Sequence, residues 1–304
     1  MSAIVYSSLL AMLCIGYTLT YITSKIPNFA HGTYAGIGIY ISYTITNTLG
    51  LNPYLSCPFG FIIGGLVGVA IYSIVVKTLK NMGGGAVVLT ISTLAIQIVM
   101  NALINIYATF LRLRSGNWAY MFFLKMHDFK LFGYQGIIYI SAVLCVLIVV
   151  LLHFFLNKTK MGVAMRCTSE DPQLAEIMGI NAERMQMLSW FITGGIATLA
   201  GTLFPLWFEC SPTTGDRLIN ACMAGSLLGG INNIYGAIIG AAIIGMAEIF
   251  GTTGLMYLVG TGVGEYRYVI PLVAVIAVLL VQPEGVPWLV NKIKASREEN
   301  KQDD

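Results

Sequence analysis

The sequence predicts an all-α polytopic membrane protein, and three observations carry that prediction. Of 304 residues, 57% are hydrophobic and only 10% are charged, whereas a soluble domain has about a quarter charged residues. The apolar residues gather in long runs, and a bilayer core about 30 Å thick takes roughly 20 residues of helix to cross. None of these runs alternates apolar and polar residues as a membrane β-strand would. With a mean hydropathy of +0.77, most of the chain cannot face water. A cytosolic enzyme, a disulfide-built secreted module and a disordered chain are excluded. The net charge of +3 is small and the basic residues are scattered, so no nucleic-acid partner is expected and lipid is the expected surrounding.

Taken in order, apolar runs lie at 3–21, 33–49, 59–76, 86–110, 134–156, 187–208, 218–231, 234–250 and 268–281. They predict about eight or nine transmembrane helices, some broken or re-entrant. The first run has no basic residues before it and no clear cleavage site, so it reads as a retained helix. The run at 218–231 is short enough to be a re-entrant half-helix, and the last run is also short. Residues 1–285 read as one transmembrane domain and 286–304 as a charged tail. The six cysteines form no CxxC pair or metal-type spacing and read as buried thiols. No cofactor and no metal are expected.

Charge sets the expected orientation. If the loops 24–32, 77–85 and 157–186 and the tail from Glu284 are cytoplasmic, that side holds eleven basic residues: Lys25, Lys77, Lys80, Lys158, Lys160, Arg166, Arg184, Lys292, Lys294, Arg297 and Lys301. The other side holds six: Arg112, Arg114, Lys125, Lys130, Arg217 and Arg267. Positive-inside bias then places the N-terminus outside and the C-terminus in the cytoplasm, across a plasma membrane.

The loop 157–186 contains a short helix with clear punctuation. Asp171 fits the N-cap, Pro172 the first helical position and Gly179 the left-handed position past the end. The two turns at 172–178 are too short to stand alone. Leu174, Ile177 and Met178 share one face and make an apolar spot. Such a spot packs either on its own membrane domain or in a partner's groove.

From Gly162 to Gly201 the chain resembles the permease subunits of ABC importers in the branched-chain amino acid branch. The matching residues are Gly162, Ala164, Arg166, Glu170, Asp171, Pro172, Ala175, Gly179, Ile180, Asn181, Ala197, Ala200 and Gly201. Asn28-Phe29-Ala30-His31-Gly32 is similar to the family's N-F-A-H-G. Leu228-Gly229-Gly230-Ile231, with Tyr235-Gly236-Ala237 and Ala247-Glu248 after it, is similar to its L-G-G-I…G-A…A-E run. Gln282-Pro283-Glu284-Gly285 resembles its final P-x-G. The resemblance implies that residues 1–285 are a permease domain in a prokaryotic membrane and that 172–178 is a coupling helix. Arg166, Glu170, Asp171, Pro172, Leu174, Ala175, Ile177, Met178 and Gly179 would then couple to an ATPase. It further implies a second permease subunit, identical or related, two cytoplasmic ATPase subunits and an extracytoplasmic solute-binding protein. The chain itself has no GxxxxGK[ST] site and no catalytic constellation. It would be a transport subunit and not an enzyme, moving branched-chain amino acids or similar small polar solutes by alternating access. Urea, short amides or nucleosides are alternative cargoes. A self-sufficient secondary transporter or channel is the alternative of another class, weakened by the scarcity of intramembrane ionisable residues.

Three further features are candidates for the path, and Glu248 is weighed beside them. The polar Asn28 and His31 follow Pro27 between two apolar runs; the break is either an interfacial turn or, if deep, part of the path. Thr93, Gln97, Asn101 and Asn105 recur every four residues along one face, as interhelical glue or as pathway lining. Gly229 and Gly230 sit at a second candidate break. Glu248 is either near the outer interface or paired inside the bundle. The small-residue spacings Gly60, Gly64, Gly68 and Gly32 with Gly36, Ala197 with Gly201 and Gly236 with Gly240 read as close helix packing.

Overall fold

A computed structural model describes residues 1–115, 119–131, 133–260, 262, 264, 267 and 269–281. The tail 286–304 and the motif Gln282-Pro283-Glu284-Gly285 lie outside the described residues. The helices are α1 (Ser2–Ser24), α2 (His31–Tyr43), α3 (Ser56–Ile71), α4 (Lys77–Asn81), α5 (Ala86–Ser115) and α6 (Gly136–Lys158). They continue with α7 (Lys160–Glu170), α8 (Pro172–Ile177), α9 (Ala182–Leu203), α10 (Thr214–Leu228), α11 (Ile234–Val259) and α12 (Val269–Val281). The only described strands form a two-residue hairpin, Lys130–Leu131 with Tyr134–Gln135. Six helical stretches are long and apolar enough to cross a membrane: Ser2–Ser24, Pro53–Asn81, Ala86–Arg114, Gly136–Lys158, Ala182–Leu206 and Ile234–Leu258. The all-α polytopic class is therefore as expected. The remaining predicted runs correspond to the shorter α2, α10 and α12.

α1 and α9 form the buried centre, and α2, α3, α10 and α11 pack around them. The outer helices present Ile62 and Leu66, Ile98 and Ile106, Val146 and Leu151, and Ile239 and Phe250 outward, as helices in contact with lipid do. Contact in the centre depends on missing side chains. The Gly60–Gly64–Gly68 stripe of α3 lies on Gly194, Thr198 and Thr202 of α9, and Gly201 of α9 lies on Ala35 of α2. Gly225 and Gly229 of α10 meet Gly240 and Gly236 of α11 in the same way. Lipid gives no hydrophobic drive for helices to associate, so backbone proximity and dispersion hold them together. Gly64→Ala is expected to cost about 1–3 kcal/mol, because its methyl would overlap the Thr198 side chain and the Gly194 carbonyl. Thermal unfolding in detergent should show this cost, with Gly85→Ala, which meets nothing, unchanged. Equal midpoints for the two variants would refute this packing.

The start of the 24–32 segment and the loops 77–85 and 157–186 share one end of the bundle. Lys77 pairs with Glu183 at 2.9 Å. The Gln186 carbonyl accepts from Tyr72 Oη at 3.0 Å and from Lys80 Nζ at 3.3 Å, and its amide donates to the Thr23 carbonyl at 3.4 Å. At the opposite end, Phe122 and Cys210 form an antiparallel bridge. There too, Asp128 accepts from Tyr54 Oη at 2.6 Å and from the Ile137 amide at 3.1 Å.

Glu248 is paired inside the bundle, the second of its two sequence alternatives. It is 0% exposed and sits level with Tyr6, near the end of α1 away from the 157–186 loop. Tyr6 Oη donates to it at 2.6 Å and Arg267 Nε at 2.5 Å. The Arg267 guanidinium also lies 4.4 Å from the Tyr6 ring centroid, where the ring quadrupole attracts it.

Candidate functional site

Two regions carry the predicted site residues: an arm that projects beyond the bundle, and a polar face inside it.

The arm is α7, α8 and the turn into α9. Thr159 accepts from the Gly162 amide at 3.0 Å and starts α7, a helix that hydropathy alone does not reveal. Asp171 caps α8, its Oδ1 accepting from the Gln173 and Leu174 amides at 2.9 and 3.0 Å. Pro172 takes the first helical position and Gly179 has φ +81°, a left-handed conformation that glycine adopts without a Cβ penalty. α8 thus ends at Ile177, one residue short of the expected helix. Asn181 then caps α9 by accepting from the Arg184 amide at 2.9 Å. Three caps in the arm fix its bends locally, each worth about 1 kcal/mol. Ala175 is the buried anchor of α8, whereas Leu174, Ile177 and Met178 are 57%, 82% and 75% exposed. The apolar spot therefore does not fold back onto the membrane domain. Arg166 donates to Asn157 Oδ1 at 3.0 Å, and Glu170 is exposed at the end of α7.

The polar face begins at the break before α2. Lys25 closes α1 in a left-handed conformation, φ 56°, and the chain then runs back along the bundle without helix until His31. His31 Nε2 lies 3.0 Å from the Leu13 carbonyl, and its ring packs edge-on to Tyr17 and Tyr34. From Ser24 back to Leu13 is about 16 Å of helix at 1.5 Å per residue, so α2 starts level with the middle of α1. The break is deep, and an interfacial turn does not describe it. Non-helical backbone at that depth is tolerated only inside protein or beside a cavity, and here α5 supports it. Thr93 Oγ1 accepts from the Phe29 amide at 3.2 Å, and its single proton faces the Thr90 carbonyl of its own helix at 2.8 Å and the Pro27 carbonyl at 3.3 Å. Asn28 is 1% exposed, and neither of its amide atoms has a protein hydrogen bond; the same is true of His31 Nδ1 and the Tyr34 hydroxyl.

One turn further along α5, Gln97 Nε2 donates to Asp216 Oδ1 at 2.8 Å, and Asn101 Nδ2 donates to Asp216 Oδ2. Asn105 instead donates to the Asn101 carbonyl of its own helix at 2.9 Å. The first turns of α2 and α10 cross here, and a Cβ on either Gly32 or Gly215 would overlap the other's carbonyl. Gln97 and Asn101 thus meet at Asp216, whereas Asn28 and His31 lie in the break, His31 packed against α1. Gly229 and Gly230 join neither group: they make the α10–α11 turn, where Gly229 lies on Gly236 and Gly230 has φ +87°. Two contributors escape a reading of the sequence. Asp216 lies before the apolar run that starts at Leu218, and hydropathy leaves it in a loop. Gln186 looks like one polar residue among many at the foot of α9. Among the described residues, no group of three His, Cys, Asp or Glu side chains could hold a metal ion.

Residues 1–279 match the family model described as branched-chain amino acid transport system/permease component. The chain is 40% identical to a probable branched-chain amino acid transport permease protein, LivH, of Methanocaldococcus jannaschii, over 93% of this chain and 90% of that one. It is 27% identical to the high-affinity branched-chain amino acid transport system permease protein LivH of Escherichia coli K12, over 94% and 93% of the two chains. Among solved structures it is similar in fold to PsaBC from Streptococcus pneumoniae in complex with Fab. There the TM-score is 0.51 and the identity 13%, over 93% of this chain and 91% of that one.

Proposed function

Because the chain belongs to the family of branched-chain amino acid transport permease components, we propose that it is the membrane-spanning subunit of an ATP-driven importer of those amino acids. It pairs with a second permease subunit, docks two ATPase subunits at the arm and receives solute from a soluble binding protein at the opposite end. The observation that carries this reading is the α8 spot. A two-turn helix is unstable alone, yet here it is capped at its start, anchored through Ala175 and left with Leu174, Ile177 and Met178 in the open. That is the shape of a helix made to be gripped by a partner, and a self-contained carrier needs none. ATP-driven closure of the partner pair pulls α8, and α7 and α9 carry the movement into the bundle. The path runs past Asn28, His31, Gln97 and Asn101. The arm faces the cytoplasm.

The orientation is testable with cysteine labelling after replacement of the native cysteines. Cys167 is exposed on the arm and its removal is essential; Cys210 is fully buried, which pushes its thiol up and keeps it unreactive. Gln173→Cys should resist a membrane-impermeant thiol reagent in intact cells and react in inside-out vesicles. Met126→Cys, at an 89% exposed position of the opposite end, should do the reverse. Labelling of Gln173→Cys from outside would separate the arm from any cytoplasmic ATPase and end the proposal.

A further inference from the structure

We infer that Asp216 is the contact for the ammonium group of the transported solute, halfway across the membrane. This deepens the importer reading and rests on it for the identity of the cargo. Gln97 and Asn101, which hold the carboxylate, lie near the midpoint of the 30-residue α5. An ionisable group at such depth is costly and calls for a named partner. Among the described residues the only salt bridges are Lys77–Glu183 and Arg267–Glu248, and none includes Asp216. The contrast with Glu248 is informative. That intramembrane carboxylate has a guanidinium at 2.5 Å and a phenol at 2.6 Å, so the protein neutralises it with its own charge. Asp216 is held only by two neutral amides.

The hydrogen-bonding capacity around Asp216 specifies what is missing. A carboxylate offers about four lone-pair positions, and the two amides occupy one on each oxygen. Asn101 spends its N–H on Asp216, and its own carbonyl oxygen is buried with no hydrogen-bond partner. The cluster therefore has acceptors to spare on both carboxylate oxygens and on the Asn101 carbonyl oxygen. A primary ammonium brings one positive charge and three N–H donors, which suits two carboxylate oxygens and one amide oxygen. Asp216 is half-buried in the first turn of α10. It can accept a cation without leaving its two amides.

The test uses the complete complex with its ATPase in lipid nanodiscs and proteoliposomes. Asp216→Asn keeps an acceptor for one amide but removes the charge. ATP-driven L-leucine uptake should fall about ten- to a hundredfold, as expected for a lost charge-assisted hydrogen bond, while subunit copurification stays unchanged. Asp216→Glu should recover part of the uptake. Binding is read separately on the nucleotide-free complex without the receptor, using L-leucine, 3-methylbutylamine and 4-methylpentanoate as probes. The amino acid and the amine should bind and lose affinity in Asp216→Asn; the carboxylate probe should bind weakly and be indifferent to it. Wild-type uptake by Asp216→Asn overturns the assignment, as does equal binding of the amine and the carboxylate. So does dissociation of the permease pair in that variant, which would make Asp216 an ion-pair partner of the second subunit. Because amine binding requires neither ATP nor receptor, a failure of the coupling proposal leaves this readout intact. Efficient coupling with no amine binding would reject Asp216 alone.

Discussion

Leu174→Asp combined with Ile177→Asp should strip the ATPase from the purified complex while leaving the permease inserted and monodisperse. Burying a large aliphatic side chain is worth about 1.5–3 kcal/mol, so losing two from an interface costs about 3 kcal/mol or more. That is over a hundredfold in affinity at about 1.4 kcal/mol per tenfold, and introducing two carboxylates adds desolvation. The fold itself should be indifferent, because both side chains are mostly exposed and α8 is held by Asp171 and by the buried Ala175. Ala175→Asp is the contrasting variant: it should disturb the arm as well as the interface. Copurification and size-exclusion chromatography read the two effects apart. If the double variant retains a full complement of ATPase, α8 is not the coupling element.

Arg267→Ala should be the most destabilising truncation at the opposite end. It leaves Glu248 fully buried with a charge and only the Tyr6 hydroxyl to hold it. Breaking a buried pair from one side costs about 3–5 kcal/mol, far more than removing both members. Glu248→Gln together with Arg267→Ala should therefore recover a good part of the loss, although neither residue has been restored. Thermal unfolding in one detergent across wild type, both single variants and the double variant gives the comparison. A single Arg267→Ala variant as stable as wild type, or a double variant no better than it, would mean that the pair is not what neutralises Glu248.

The long helices and the arm were legible in the sequence because their determinants are local. Apolar length alone marks the six crossing helices, and Asp171, Pro172 and Gly179 place α8 to within one residue, since a cap acts on amides two or three residues away. Small-residue spacing likewise anticipated close packing on α3, though not that its partner is α9. Depth was not legible. Hydropathy marks where an apolar run stops and carries no information on how far the following segment turns back, so Asn28 and His31 could be read as an interfacial turn or as a break inside the membrane. Asp216 was hidden for a different reason. Its partners Gln97 and Asn101 are 119 and 115 residues away in sequence, and only the crossing of α2 and α10 over α5 brings them together. The regular spacing on α5 predicted an inward polar face, but the spacing alone could not tell which of its residues support the break, which hold a carboxylate and which fold back on their own helix.

The segment that returns from Lys25 to His31 also constrains how the protein is made. Its unpaired backbone groups cannot rest in hydrocarbon, where each would cost several kcal/mol. Its support at Phe29 and Pro27 is Thr93, a residue of α5 that the ribosome adds some sixty positions later. α1 can therefore commit to the bilayer as soon as it is synthesised, but α2 cannot take its final depth beside it. The start of α2 must wait at the aqueous boundary until α5 has been inserted, and then sink against it. Assembly of this bundle is thus not a sequence of independent hairpins, and a truncated chain ending before α5 should keep residues 25–31 accessible to water.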